Sequence, residues 1–111
     1  MWFSRYIRWR DQGHCYTCGR QDDPKKMHAG HFVPRQYLAT RYDEKNVHCQ
    51  CFVCNIHYHG QPSAYAIRLD GEYPGLIVRL EKMRGTFVKD FPYEEMIEKY
   101  KKLAVETGWE K

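Results

Sequence analysis

Two Cys-x-x-Cys pairs, Cys15/Cys18 and Cys51/Cys54, restrict what this chain can fold into more than any other feature. Each pair presents two thiolates at the spacing a tetrahedral ion accepts, and Gly19 relieves the tight turn behind the first pair. Together the four make a closed site for a structural Zn²⁺, with no open position at which water is activated. Such a site ties an N-terminal loop to the start of a central helix, closing a long loop that a small core holds poorly. A chain of 111 residues makes one domain, 1–111, small enough to need that staple. Cys49 is the fifth cysteine. It either competes for the ion from two residues before Cys51 or is a small buried thiol.

Composition narrows the setting. With 42% hydrophobic and 29% charged residues, and no apolar run near the roughly 20 residues of a bilayer span, no membrane partner is expected. The opening Met1-Trp2-Phe3-Ser4-Arg5-Tyr6 carries neither an apolar h-region nor a small-residue cleavage site. The expectation is therefore a reducing compartment, where cysteines bind metal rather than pair. The formal charge of +4 is compatible with nucleic acid without demanding it.

Periodicity and punctuation give an α+β chain. Trp2, Tyr6 and Trp9 recur at the spacing of one helical face, predicting an opening helix with these aromatics toward the core. Arg5 and Arg8 fall off that face and are candidate phosphate contacts. His28 to Val33, stopped by Pro34, reads as a short strand, and Asn46 to Gln50 as its antiparallel partner. The loop between them holds Arg35, Arg41 and Lys45, which either track a DNA backbone or are simply solvated. Cys51 to Asn55 leads into a helix. Ser63 to Leu69 is helical with Ser63 as N-cap and Asp70-Gly71 as its end. Gly75 to Met83 forms another helix, ended by Gly85, and a last one runs from Pro92 to about Glu106 and stops at Gly108.

The chemistry-bearing residues come in the order His28-x-x-His31, Asn46, Asn55. That order permits a strand-hairpin-helix unit in which a strand histidine faces an amide of the helix. Each residue alone is more often structural. Read with Tyr6-Ile7-Arg8-Trp9-Arg10-Asp11, Cys15-x-x-Cys18-Gly19, His28-Ala29-Gly30-His31-Phe32, Arg41-Tyr42-Asp43-Glu44-x-Asn46-Val47-His48 and Gln50-Cys51-x-x-Cys54-Asn55, the chain resembles the NinG/Rap family of lambdoid-phage recombination endonucleases. The likeness continues through Gly60, Tyr65 and Leu69. Longer members carry additional N-terminal sequence.

This resemblance implies a zinc-stabilised ββα-metal (HNH, His-Me finger) core with flanking N- and C-terminal helices. It implies a metal-dependent endonuclease for branched recombination intermediates such as Holliday junctions and D-loops, working in the cytoplasm of a phage-infected bacterium. By position the catalytic set is His31 as general base, Asn46 as the brace of the hairpin and Asn55 as a metal ligand. His28 stands where family members often have an acidic or amide residue, so His28, Asn55 and His59 are the expected ligands of a catalytic divalent cation. His57 and His59 are either further ligands or phosphate contacts, or exposed polar residues on a helix end. A site of neutral donors brings no charge to hold hard Mg²⁺ and favours Mn²⁺, Co²⁺ or Ni²⁺. Symmetric junction cutting would call for a homodimer. Two rivals share the staple: a broad-specificity HNH nuclease, and a non-catalytic zinc module that binds DNA or protein.

Overall fold

The structure, a computed structural model, describes residues 1–109. The chain runs through α1 (Trp2–Arg10), a tight turn at Pro24–Lys26, β1 (His28–His31), α2 (Leu38–Arg41), β2 (Val47–Gln50), a widened turn at Val53–His57, α3 (Pro62–Glu72), α4 (Leu76–Met83) and α5 (Tyr93–Glu106). The two strands pair antiparallel, with His28 opposite Gln50, Gly30 opposite His48 and His31 opposite Val47. No helix is long and apolar enough to cross a membrane.

Because side chains alternate along a strand, this two-stranded sheet sorts residues onto two faces. Ala29, Val47 and Cys49 share one face, where Val47 joins Phe3 and Ile7 of α1 and Met96 and Tyr100 of α5. His28, Gly30, His48 and Gln50 share the other, where Tyr65 of α3 covers Gly30 and His48. On that side Tyr65 and Leu69 pack with Leu76 and Leu80 of α4, Tyr16 and Val33. Neither apolar cluster has more than six fully buried members. A third cluster, of Cys15, Met27, Cys49, Cys51 and Cys54, closes one end. Cores this small bury too little apolar surface to offset chain entropy comfortably, which is the physical case for a metal staple.

Polar contacts lock α1 to the sheet. Arg10 forks onto the Asp11 carboxylate at 2.8 and 3.1 Å and also donates to the carbonyls of Glu44 and Val47, both at 2.9 Å. Asp11 in turn accepts from the Cys49 amide at 2.8 Å. Gly30 is required where it stands, since a Cβ there would collide with the buried Gln50 carboxamide.

Several elements differ from the sequence expectation. The buried residues of α1 are Phe3 and Ile7, while Trp2, Tyr6 and Trp9 are half-buried flanks. The helix is gripped from both sides, by α5 and by the sheet, so its buried line falls between the aromatics rather than on them. The segment after Cys51 makes no full helix. Tyr58 donates to Val53 and Gly60 to Cys54, and left-handed His59, Gly60 and Gln61 unwind the chain. Proline-led α3 then starts at Pro62, so Ser63 is no N-cap. It continues through Asp70-Gly71 to Glu72, whose ion pair with Arg68 at 2.9 Å spans the glycine. Where the sequence predicts only a loop between the strands, the short helix α2 forms.

Candidate functional site

The strongest constellation is the four cysteines. Their sulfur atoms lie within 4.8 Å of one another, Cys15, Cys51 and Cys54 buried and Cys18 exposed. Cys18 Sγ and Cys51 Sγ are 3.7 Å apart. Sulfurs at about 2.3 Å from a tetrahedral zinc are separated by about 3.8 Å, so the spacing fits one ion. The knuckle is built by Gly19 N–H donating to the Cys15 carbonyl at 2.9 Å, with Gly19 left-handed at φ +79°. Burial opposes a thiolate at Cys15, but hydrogen bonds from the Thr17 hydroxyl and the backbone at Cys51, Cys18 and Thr17 outweigh it and bring its pKa down to about 6. Desolvation of its sulfur by the cluster and the neighbouring thiols push Cys18 up to about 12, although the residue as a whole is exposed. One thiolate thus forms readily and the next is opposed, a charge conflict that a dication removes. Cys49 stays outside the quartet, fully buried, with its thiol raised to about 12 by burial and then by the Asp11 charge.

The residues expected to form one catalytic site fall into two groups. His28 and Asn55 do meet, with the Asn55 amide 3.3 Å from His28 Nδ1. The strand histidine that faces an amide from beyond β2 is therefore His28. His31, three residues along β1, emerges on the opposite face of the sheet. It lines a cavity of about 170 Å³ with Phe3 and Ser4 of α1, Arg35, Arg41 and Tyr42. The expectation that His31 works beside a His28/Asn55 metal site is corrected by this alternation. His59 is exposed and left-handed, with no side-chain hydrogen bond to the pair among the described residues. His57 is exposed beside Tyr58.

His31 is held in a defined state. Its Nε2–H donates to the Arg41 carbonyl at 2.9 Å, so Nδ1 carries the lone pair in the neutral ring. Burial lowers its pKa below 6.5, and the charges of Arg35 and Arg41 add to this against the carbonyls of Arg41 and Ala29. Asn46, fully buried, fixes the loop that delivers Arg41. Its Oδ1 accepts from Val33 N–H at 2.8 Å, and its amide donates to the Val33 and Thr40 carbonyls at 3.1 Å.

A resident divalent cation is tested by the donors present. Among the described residues, the four cysteines are the one group of three or more His, Cys, Asp or Glu whose ligand atoms converge. His28 and Asn55 are a neutral imidazole-amide pair. They suit a borderline ion completed by a substrate phosphate, and do not fit Mg²⁺ held by protein alone.

The cations divide too. Arg35 and Arg41 flank His31, with Arg41 Nε on the Arg35 carbonyl at 2.6 Å. Lys45 lies exposed over the Tyr73 ring at 5.1 Å and lines a different cavity. Arg8 is committed to the backbone, donating to the carbonyls of Ser4 and Met27 at 3.2 Å and Pro24 at 3.4 Å. Arg5 is stacked 4.7 Å from the Trp2 ring. Sequence reasoning missed His48, Tyr16 and Tyr65. Alternation of His48 with Gln50 along β2 was the available signal, because it puts two polar side chains on one covered face.

Comparison with known proteins places the chain. The family model described as Bacteriophage Lambda NinG protein matches residues 1–105. Proteins named Protein ninG from Escherichia phage 933W and Salmonella phage P22 are each 38% identical to it over 68 residues. That stretch is 60% of this chain and 33% of each relative, so the chain matches about a third of their length. No solved structure matches it.

Proposed function

The chain belongs to the NinG family of bacteriophage proteins, and from that premise we propose that it is a metal-dependent endonuclease cutting branched DNA, with His31 as general base. One observation carries the reading: His31 is a neutral imidazole of fixed tautomer, half-buried between Arg35 and Arg41. A lone pair at Nδ1 can take a proton from water as it attacks phosphorus, while two guanidiniums hold the phosphate. Asn46 is a positioning residue, since it acts through the loop carbonyl that orients the ring.

In this reading His28 and Asn55, with His59 beyond them, would hold a divalent ion on the other face of the sheet from His31, where it would neutralise phosphate charge and help seat the DNA. The zinc quartet keeps both halves of the ββα-metal core in register. Arg5 would extend the basic surface along α1, while Arg8, committed to backbone carbonyls, holds the turn before β1 in place. The protein would act in the cytoplasm of an infected bacterium, on Holliday junctions or D-loops, and as a homodimer where two strands are cut symmetrically.

A second reading is favoured by one specific observation. His31 and the His28/Asn55 pair lie on opposite faces of β1, an arrangement equally suited to a zinc module that binds DNA without cutting it. Cleavage of a four-way junction, a D-loop and linear duplex in Mn²⁺ and in Mg²⁺ separates the two. Metal-dependent cutting that His31→Ala abolishes, at unchanged zinc content and DNA affinity, supports the nuclease. Binding without cutting in either metal supports the module, and equal cutting of all three substrates points to a broad-specificity nuclease.

A further inference from the structure

A cavity of about 510 Å³ opens beside α3, and neither His31 nor any of the four cysteines lines it. Its wall contains two polar side chains that are more than nine-tenths buried, His48 at 5% exposure and Tyr16 at 7%. The two rings stack, with centroids 3.9 Å apart. Tyr65 donates its hydroxyl proton to the Gly30 carbonyl at 2.7 Å, so the 3.1 Å contact between His48 Nδ1 and Tyr65 Oη requires Nδ1–H as donor. The lone pair of His48 is then at Nε2, which has no protein partner among the described residues. The Tyr16 hydroxyl likewise has no hydrogen-bond partner. Glu72 raises its pKa after burial, by its charge and as a loose hydrogen-bond neighbour whose geometry falls short of a formed bond, while its Oε1 is held by Arg68 at 2.9 Å. A buried hydroxyl without a well-formed partner is costly, and beside it on the same cavity wall the open lone pair of His48 Nε2 gives a ligand a second polar group to meet.

The remaining wall says what kind of ligand. Arg10 is spent on Asp11 and on backbone carbonyls, and Glu44 accepts from the Tyr100 hydroxyl at 2.9 Å. Lys45 has no ion pair among the described residues. It lines, with Tyr73, both this cavity and an adjoining one of about 450 Å³ that reaches Arg79 and the start of α4 at Gly75–Leu76. One cavity thus offers a lone pair and a hydroxyl donor to a planar polar group, and its neighbour offers an anion the unpaired Lys45 together with Arg79, whose ion pair with Asp43 is exposed and 3.3 Å long. A nucleotide carries both parts, a planar polar base and an anionic phosphate.

We propose that the two cavities receive one unpaired nucleotide of DNA, its base against His48 and Tyr16 and its phosphate at Lys45 and Arg79. The inference rests on the reading that the chain acts on DNA, but not on its cutting DNA. An unpaired base costs least to bring out of the stack, so the site would select branched or bulged DNA over plain duplex. It would give structure selectivity to whatever chemistry happens at His31.

The test is a titration of the zinc-loaded chain, without added divalent metal, followed by the ring-nitrogen resonances of His48. Three probes are compared: a deoxynucleoside monophosphate, a duplex with a single unpaired base, and the same duplex fully paired. The expected result is a saturable shift of His48 Nε2 with the monophosphate and the bulged duplex and a weaker one with the paired duplex. Tyr16→Phe removes a hydroxyl the fold leaves unsatisfied, so it should keep or raise the melting temperature. It should nonetheless weaken bulged-DNA binding by about three- to tenfold, the worth of one hydrogen bond. Lys45→Gln should weaken the bulged duplex more than the paired one. A His48 signal that ignores every probe, or responds alike to paired and bulged DNA, overturns the proposal, as does a Tyr16→Phe variant with unchanged affinity. A response to the monophosphate alone also overturns it and leaves a free-nucleotide site. Absence of cleavage leaves it standing, because no arm of the titration depends on cutting.

Discussion

His31 Nε2 sits 2.9 Å from the backbone oxygen of Arg41, and a carbonyl can only accept, so the ring must be the donor there. The same loop therefore sets both the tautomer of His31 and the position of the guanidinium beside it. Burial, helped by Arg35 and Arg41, lowers the His31 pKa below its ordinary 6.5.

A base must be unprotonated to work, so cleavage should be flat above pH 6.5 and fall only as pH drops through the lowered pKa. His31→Ala should reduce cutting by at least about a hundredfold, the usual contribution of a positioned base. A pH-rate profile that bends above 6.5, or a variant that still cuts at the parent rate, would remove His31 from the mechanism.

Metal preference follows from the donors at His28 and Asn55. Both are neutral and 3.3 Å apart, so cutting should be faster in Mn²⁺, Co²⁺ or Ni²⁺ than in Mg²⁺. His28→Asp adds the hard anionic oxygen that Mg²⁺ prefers and should shift the ranking toward it. Rates in each metal for the two proteins decide the matter, and a parent chain that works best in Mg²⁺ contradicts this assignment.

The quartet predicts one zinc per chain. Chelation should abolish cooperative melting, since structural zinc contributes on the order of 10 kcal/mol of folding energy. Cys15→Ser and Cys54→Ser should lose the ion, and Cys49→Ser should keep it, because Cys49 lies outside the cluster. Metal analysis of the purified variants reads this directly, and a zinc-free Cys49→Ser would replace one ligand in the assignment.

What the chain revealed in advance was chemistry carried by spacing. The cysteine pairs announced their cluster, and Pro34 and the Asn46–Gln50 run announced the strand pair. Gly85 and Gly108 marked the far ends of α4 and α5. The error at His28-x-x-His31 was physical. Two residues three apart share a face on a helix and take opposite faces on a strand, so a strand assignment already separated them. Other features depended on distant partners. The buried line of α1 is set by α5, some ninety residues away, and the His48–Tyr65–Gly30 chain joins three elements. The unwinding at His59 to Gln61 is a run of left-handed residues of which only Gly60 shows a compositional signal.

His48 makes the folded state sensitive to acid. Burial, then the charge of Arg10, lowers its pKa to about 4. The unfolded chain binds a proton near pH 6.5, so stability is unaffected above that and falls as pH drops toward 4. The loss is about 1.4 kcal/mol per pH unit, on the order of 3 kcal/mol in all. His48→Gln should be less stable at pH 7 but have a shallower slope. Denaturant midpoints at pH 7 and 5, with zinc content verified at both, measure the difference, and parallel slopes would show that His48 is not the acid-sensitive group.

Asn46 offers a way to separate the fold from the site. Its side chain is fully buried, accepting from Val33 N–H at 2.8 Å and donating to the carbonyls of Val33 and Thr40 at 3.1 Å. Asn46→Ala strips partners from three buried backbone groups and should cost about 3–5 kcal/mol. Asn46→Asp is the sharper variant. It keeps the shape and the acceptor for Val33 N–H, but it turns oxygen toward two carbonyls that need donors. The loop carrying Thr40 and Arg41 should loosen while the strand pair survives. His31 then loses its fixed tautomer, so cleavage should fall by at least about tenfold with zinc retained and the midpoint of the pH-rate profile should move upward toward 6.5. An Asn46→Asp protein with unaltered pH dependence would show that the loop does not set the state of His31.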